Sequence, residues 1–249
     1  MINMRFIVLL IPLLGSGHHP SANFDNTIPI HMVKKPIEDI ALLQANAQPL
    51  PTKQLLNVPL IRQNPELRYG CEVTSLAMML QYAGANTNKM ELFQKVKKDS
   101  DPIQRSSKGD IVRWGNPADG FVGDMTGRSA GYAVFDKPME ELVNSYLPGR
   151  AVNLTNKSFD EVLQHVAKGY PVVVWTTGDY RLPDRWEAWY HGNQLIKTPL
   201  DLHAVVLVGF DQNSVYLNDP LSGRKQVRVG KQQFISSWHA LHSRAISYQ

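Results

Sequence analysis

Cys71 is the single cysteine of the 249-residue chain and its most nucleophilic side chain. Gly70 precedes it, and an apolar stripe of Val73, Leu76, Ala77 and Leu80 at i, i+3, i+4, i+7 spacing predicts a helix from Cys71 to about Ala83. A thiol at a helix start faces free N–H groups and the positive end of the helix dipole, which favour thiolate. The competing reading is a buried structural cysteine. A thiol nucleophile needs a base, and the base an orienter. Of eight histidines, His18, His19, His31, His165, His191, His239 and His242 fall near the N-terminal apolar run, in a linker, on a helix, in a loop or near the C-terminus. His203 opens an apolar strand, where a scaffold would hold the ring still. Sixteen residues on, Asp219 ends the next strand in Asn218-Asp219-Pro220. Together these types point to acyl transfer through a Cys, His and Asp.

The strand pair sets a test. A three-residue loop Asp211-Gln212-Asn213 would place Phe210 opposite Ser214 and Val205 opposite Asp219. His203 then lies diagonal to Asp219 on one face, roughly 7–8 Å away along the backbone and within side-chain reach. An even-length loop would send the two to opposite faces unless a bulge intervened.

The remaining elements follow from pattern. Leu55 to Leu60 predicts a short strand or extended lead-in, and Asn88 with Glu91 a capping box opening a helix to about Lys97. Residues 99–135 are glycine-rich and aperiodic, with Trp114, Phe121, Tyr132 and Phe135 favouring an ordered loop. Helices are expected from Asp136 to about Tyr146 and after the Ser158–Glu161 capping box, closed by Gly169. Residues 171–176, 203–210, 214–217 and 225–229 are β-branched runs between turn signals. Helices first and strands after, without βαβ alternation, predict an α+β fold with a helical half on an antiparallel sheet. The 179–200 stretch, rich in aromatics, is read as a flap over a cleft.

Leu56-Asn57-Val58-Pro59, Gln63-Asn64-Pro65-Glu66-Leu67 and the run Gly70 to Met78 resemble the opening of the C39-like family of bacterial papain-fold cysteine peptidases. Trp114-Gly115-Asn116-Pro117 through Asp124, His203 to Asp211, and Val215 to Leu221 match its later blocks in order, so the resemblance covers roughly Gln54 to Ser236. It implies a papain-like fold with Cys71 as nucleophile, His203 as general base and acid, and Asp219 as orienter. Gln63, eight residues before Cys71, matches the family's glutamine, which would donate its amide to the oxyanion beside the Cys71 N–H. Bacteriocin-processing relatives have a shorter Gln-to-Cys spacing and a fused transporter; neither feature is found here.

Composition bounds the rest. One cysteine forms neither a disulfide framework nor a Cys-rich zinc site. The net charge of +4 is diffuse and argues against a nucleic-acid partner. Met1 to Arg5 is basic, Phe6 to Leu14 is apolar, and Gly15-Ser16-Gly17 offers a cleavage pattern, the layout of a secretory signal over residues 1–17. Residues 18–53 read as a linker or pro-segment and 54–249 as the peptidase domain. The protein is thus expected to be exported, secreted or held at the cell envelope, meeting the membrane only through that signal and acting on a peptide or protein. No cofactor is expected, and Asp110, Asp119 and Asp124 fit no calcium-loop spacing, so no metal is assigned. A silent papain-fold scaffold of the envelope and a transpeptidase or cell-wall amidase using the same residues are the alternatives.

Overall fold

The computed structural model describes residues 50–249. The expected signal segment lies outside them, as does most of the expected linker.

The chain enters through β1 (Gln54–Leu55) and extended backbone to Leu60. It then forms α1 (Cys71–Tyr82) and α2 (Lys89–Lys95). Four short strands follow, β2 (Lys98–Asp99), β3 (Gln104–Arg105), β4 (Ile111–Arg113) and β5 (Phe121–Val122). After α3 (Asp136–Tyr146), β6 (Ala151–Asn153) and α4 (Phe159–Ala167) comes the sheet-forming half. It comprises β7 (Val172–Thr177), β8 (Trp186–His191), β9 (Gln194–Pro199), β10 (Leu202–Phe210), β11 (Ser214–Asp219), β12 (Arg224–Gly230), α5 (Lys231–Ala240) and β13 (Ala245–Tyr248).

The main sheet runs β12-β11-β10-β7-β13-β6, with β1 beside the end of β10, and every pairing is antiparallel. This is the α+β architecture expected. All of β7 and nearly all of β10 is buried, which explains why their sequences run apolar without alternating. Gly209 lets β1 approach: a side chain there would strike the Gln54 carbonyl.

Helix α1 starts at Cys71 as its sequence predicts, but it is not half-exposed. Every residue from Cys71 to Leu80 is buried, because β10 and β7 pack on it as well as α2 and α3. Its four-residue stripe is therefore only the most apolar part of a fully enclosed surface, and Glu72, Thr74 and Ser75 are enclosed too. Asn88 caps α2 through the N–H groups of Met90 and Glu91. The Glu91 carboxylate, however, turns to Lys95, Tyr146 and Thr87, and the helix stops at Lys95 rather than Lys97. The Ser158–Glu161 capping box forms in full.

The 179–200 stretch, read as a flap, is regular over most of its length, and its Leu200 lines the cleft that Cys71 and His203 share. It folds into the β8–β9 hairpin, which joins β4 and β3 in a separate four-stranded sheet, and His191 ends a strand rather than lying in a loop. Trp114, Trp189, Val122 and Ile196 form a small core of their own beneath it.

Candidate active site

Short-range chemistry delivers Cys71 to the surface of the core. Gly70 precedes it because a side chain at that position would collide with Leu67. Cys71 is then the first residue of α1, so its N–H is among the first-turn donors that have no partner within the helix. The first turn is stitched to β10, where Ser75 Oγ donates to the Ala204 carbonyl at 3.1 Å. It thus sits against the backbone of the residue that follows His203, and Cys71, His203 and Gln63 line one cleft of about 680 Å³.

His203 and Asp219 meet through a register detail. The three residues 211–213 connect the strands as expected, but Phe210 pairs with Val215 rather than Ser214, one residue off the expected register. A bulge between Leu207 and Gly209 then shifts the register back, so Val206 faces Asn218. The offset at the turn and the bulge cancel, and His203 Nε2 lies 2.8 Å from Asp219 Oδ1, both residues buried. With Nε2 committed to Asp219, Nδ1 is the ring nitrogen left for the thiol.

Asp219 is held from several sides. Oδ1 also accepts the Leu221 N–H at 2.9 Å, and Oδ2 accepts the Ser222 hydroxyl at 2.6 Å and the Tyr180 hydroxyl at 3.1 Å. Burial alone would raise its pKa. The His203 hydrogen bond and charge, with the Ser222 and Leu221 donors, outweigh that and hold it well below the usual carboxylate range. Burial, then the Asp219 charge, push the Tyr180 phenol up, so it remains a donor.

The thiol departs from its expected state. Its hydrogen bond goes to Glu72 Oε2 at 3.3 Å, and burial followed by the Glu72 charge pushes the Cys71 thiol well up. The helix start therefore does not by itself yield a thiolate: enclosure and a neighbouring carboxylate oppose it. Glu72 is itself fully enclosed, and burial raises its pKa to about 7 against the bonds to its own backbone and to Val134.

Gln63 lines the same cleft. Its Nε2 donates to the Arg68 carbonyl at 2.8 Å, and its buried Oε1 has no protein partner among the described residues. The opposite amide orientation would set two oxygens face to face, so Arg68 fixes the NH₂ group and leaves its second N–H available. Lys89 holds this loop through the Arg62 and Gln63 carbonyls and Glu66.

Glu72, Tyr180 and Ser222 were not singled out by sequence reasoning. A glutamate in a buried helix face carries no pattern of its own, and Tyr180 is distant from Asp219 in sequence. Ser222, three residues after Asp219 in a turn, did offer a local signal. Asp119 lies elsewhere, with Asp99 and Asp101 around the His191 ring at 3.3–3.8 Å. Asp99, Asp119 and His191 are also the one group among the described residues close enough together to share a cation.

A cysteine at a helix start, a histidine bonded to a carboxylate and a glutamine amide thus gather near one cleft, the residue types that acyl transfer to sulfur uses. The Peptidase_C39-like family profile matches residues 55–246, and the chain belongs to that family. It is 38% identical over 187 residues to the uncharacterized protein YvpB of Bacillus subtilis (strain 168), covering 74% of this chain and 71% of that one. It also resembles a crystal structure from Bacillus anthracis assigned to the C39-like peptidases, with 42% identity and a TM-score of 0.72, covering 80% of this chain and 98% of the other.

Proposed function

We propose that the protein is a cysteine peptidase that hydrolyses peptide bonds through Cys71, His203 and Asp219 by way of an acyl-enzyme. The observation that carries the reading is the 2.8 Å bond from His203 Nε2 to Asp219, in the cleft that Cys71 and Gln63 also line.

In this reading His203 takes the thiol proton at Nδ1, drawing the sulfur away from Glu72. Asp219 accepts from Nε2 and stabilises the imidazolium that forms. The sulfur attacks the scissile carbonyl carbon, and the oxyanion is met by the Cys71 N–H and the free N–H of the Gln63 amide. Collapse of the tetrahedral species breaks the C–N bond as His203 returns the proton to the leaving amine. The resulting thioester is opened by water, from which His203 removes a proton, and the carboxylic product leaves with the thiol restored.

Export belongs to the same proposal and rests on the layout of residues 1–17, with secretion or envelope retention as the outcome. Recovery of the protein from the medium or the cell envelope agrees with it; recovery from the cytoplasm alone opposes it.

The peptidase reading is tested by incubating the full-length protein and its Cys71→Ala variant with a denatured protein substrate and following new amino termini. Cleavage by the first and none by the second is expected. Turnover by both moves the nucleophile elsewhere, and turnover by neither, with Cys71 inert to iodoacetamide at neutral pH, favours a non-catalytic scaffold.

A further inference from the structure

Beside the catalytic cleft lies a second cavity of about 350 Å³. Much of its wall comes from parts that do not hold the catalytic residues: Trp114 after β4, Trp189 on β8 and the 130–132 segment. Tyr69, Tyr132, Leu200 and Leu202 line both this cavity and the cleft containing Cys71 and His203. Tyr69 is two residues before Cys71, and Leu202 immediately precedes His203, so a single wall separates the cavity from the reacting atoms.

We infer that this cavity selects the substrate, by accepting one large neutral apolar side chain, aromatic by preference, from a residue close to the scissile bond. The inference rests on the peptidase reading above and specifies its substrate. The cavity's floor is a built aromatic surface. Trp114 and Trp189 have ring centroids 5.6 Å apart at 55°, and Tyr132 meets Trp189 edge-on at 5.3 Å. Two of these rings have their polar atoms satisfied within the protein: Trp189 Nε1 donates to the Gly115 carbonyl at 2.8 Å, and the Tyr132 hydroxyl bonds Thr198 and the Pro199 carbonyl. What they present to an occupant is chiefly carbon and ring face, which pairs well with another aromatic group.

Room is left by small residues. Ala130 and Gly131 line the cavity, and any side chain at Gly131 would run into the Asp124 carbonyl. The volume lies at the low end of the ~300–1,000 Å³ range of ligand pockets, a match for one side chain rather than a cofactor. Arg105 and Glu187 also line it, with opposite charges. An acidic or basic side chain would meet one attractive and one repulsive neighbour while losing its hydration, so neither sign is favoured over an uncharged group.

The test is a cleavage profile of a peptide library in which residues on both sides of the scissile bond vary, run on the full-length protein and on Ala130→Phe, which fills the cavity. At one position the protein is expected to prefer Phe, Tyr, Trp or Leu over Ala by about tenfold or more in kcat/KM. In Ala130→Phe that ratio should collapse toward one. A general loss of folding lowers both rates together and leaves the ratio unmoved; Ile111→Phe, entering from another wall, is the second variant if the first does not fold. Cleavage with no apolar preference at any position, or a preference that survives filling in both variants, overturns the inference while leaving the peptidase reading intact. Absence of cleavage for every peptide overturns the peptidase reading itself, and this inference with it.

Discussion

The Cys71 thiol donates to Glu72 at 3.3 Å, while the other Glu72 oxygen accepts the Val134 N–H at 3.1 Å. Adjacent residues thus share a proton-rich, enclosed site in which a carboxylate and the nucleophile compete for charge. Two negative charges there would repel each other without water to screen them, so deprotonating Cys71 depends on what else compensates. In the proposed mechanism that compensation is the His203 imidazolium.

Replacing the carboxylate shows the effect directly. Glu72→Gln retains an acceptor for Val134 and removes the charge, so the thiol should ionise at lower pH. The rate of Cys71 alkylation by iodoacetamide, followed across pH, should rise earlier than in the wild type. An unshifted profile would mean that Glu72 does not govern the thiol.

The same residue predicts a pH dependence of stability. Unfolded, Glu72 releases its proton near 4.5; folded, it keeps it to about 7. The folded state therefore binds more protons across that interval, and this residue's contribution to stability falls as pH rises from 4.5 to 7, by on the order of 3 kcal/mol. Denaturant titrations of the wild type and Glu72→Gln check this: the difference between them should grow in the variant's favour toward pH 7.

Asp219 carries the opposite sign. Its folded pKa lies below the ordinary 3.8, so the stability it contributes is present above that value and declines as pH falls below it. Asp219→Asn should flatten the acid limb of the stability curve. Asp219→Ala, which leaves His203 Nε2 without its acceptor, should reduce kcat by about two or more orders of magnitude. Wild-type turnover in this variant would remove Asp219 from the catalytic group.

Gln63→Ala should lower kcat/KM by about a hundredfold or more through loss of one oxyanion donor. Alkylation of Cys71 by iodoacetamide, which forms no oxyanion, should be little changed. If both rates fall equally, Gln63 acts on the thiol or on the loop instead.

Much of this site was legible before any coordinates, for physical reasons tied to position. Cys71 and Asp219 lie at the ends of regular elements and His203 one residue inside the start of β10, where backbone pattern predicts placement. The three-residue loop and the shared face of His203 and Asp219 were both legible, but not the route between them: Phe210 pairs with Val215 rather than Ser214, and the bulge beside Val208 restores the register. Bulges leave no period in a run such as His203 to Phe210, so that correction was hidden. The β8–β9 hairpin was less hidden, since Gly192-Asn193 is the two-residue turn between His191 and Gln194. Its aromatic and charged residues suggest a flap rather than sheet strands, because the two strands pair only with each other and with β4. Helix α5 and strand β13 were missed for lack of signal: α5 buries just Phe234, Ser237 and Trp238, and β13 is four residues long. The enclosure of Glu72 was least predictable, because full burial of a glutamate depends on partners, here Cys71 and Val134, that only the tertiary fold supplies.

The central claim is that His203 makes Cys71 a nucleophile. Labelling the protein at neutral pH with a peptidyl fluoromethyl ketone, then mapping the modified residue by mass spectrometry, measures this in the wild type and in His203→Ala. The account predicts modification at Cys71 and a rate about a hundredfold or more slower in the variant. Equal rates in the two proteins, or a label carried by another residue, would contradict it.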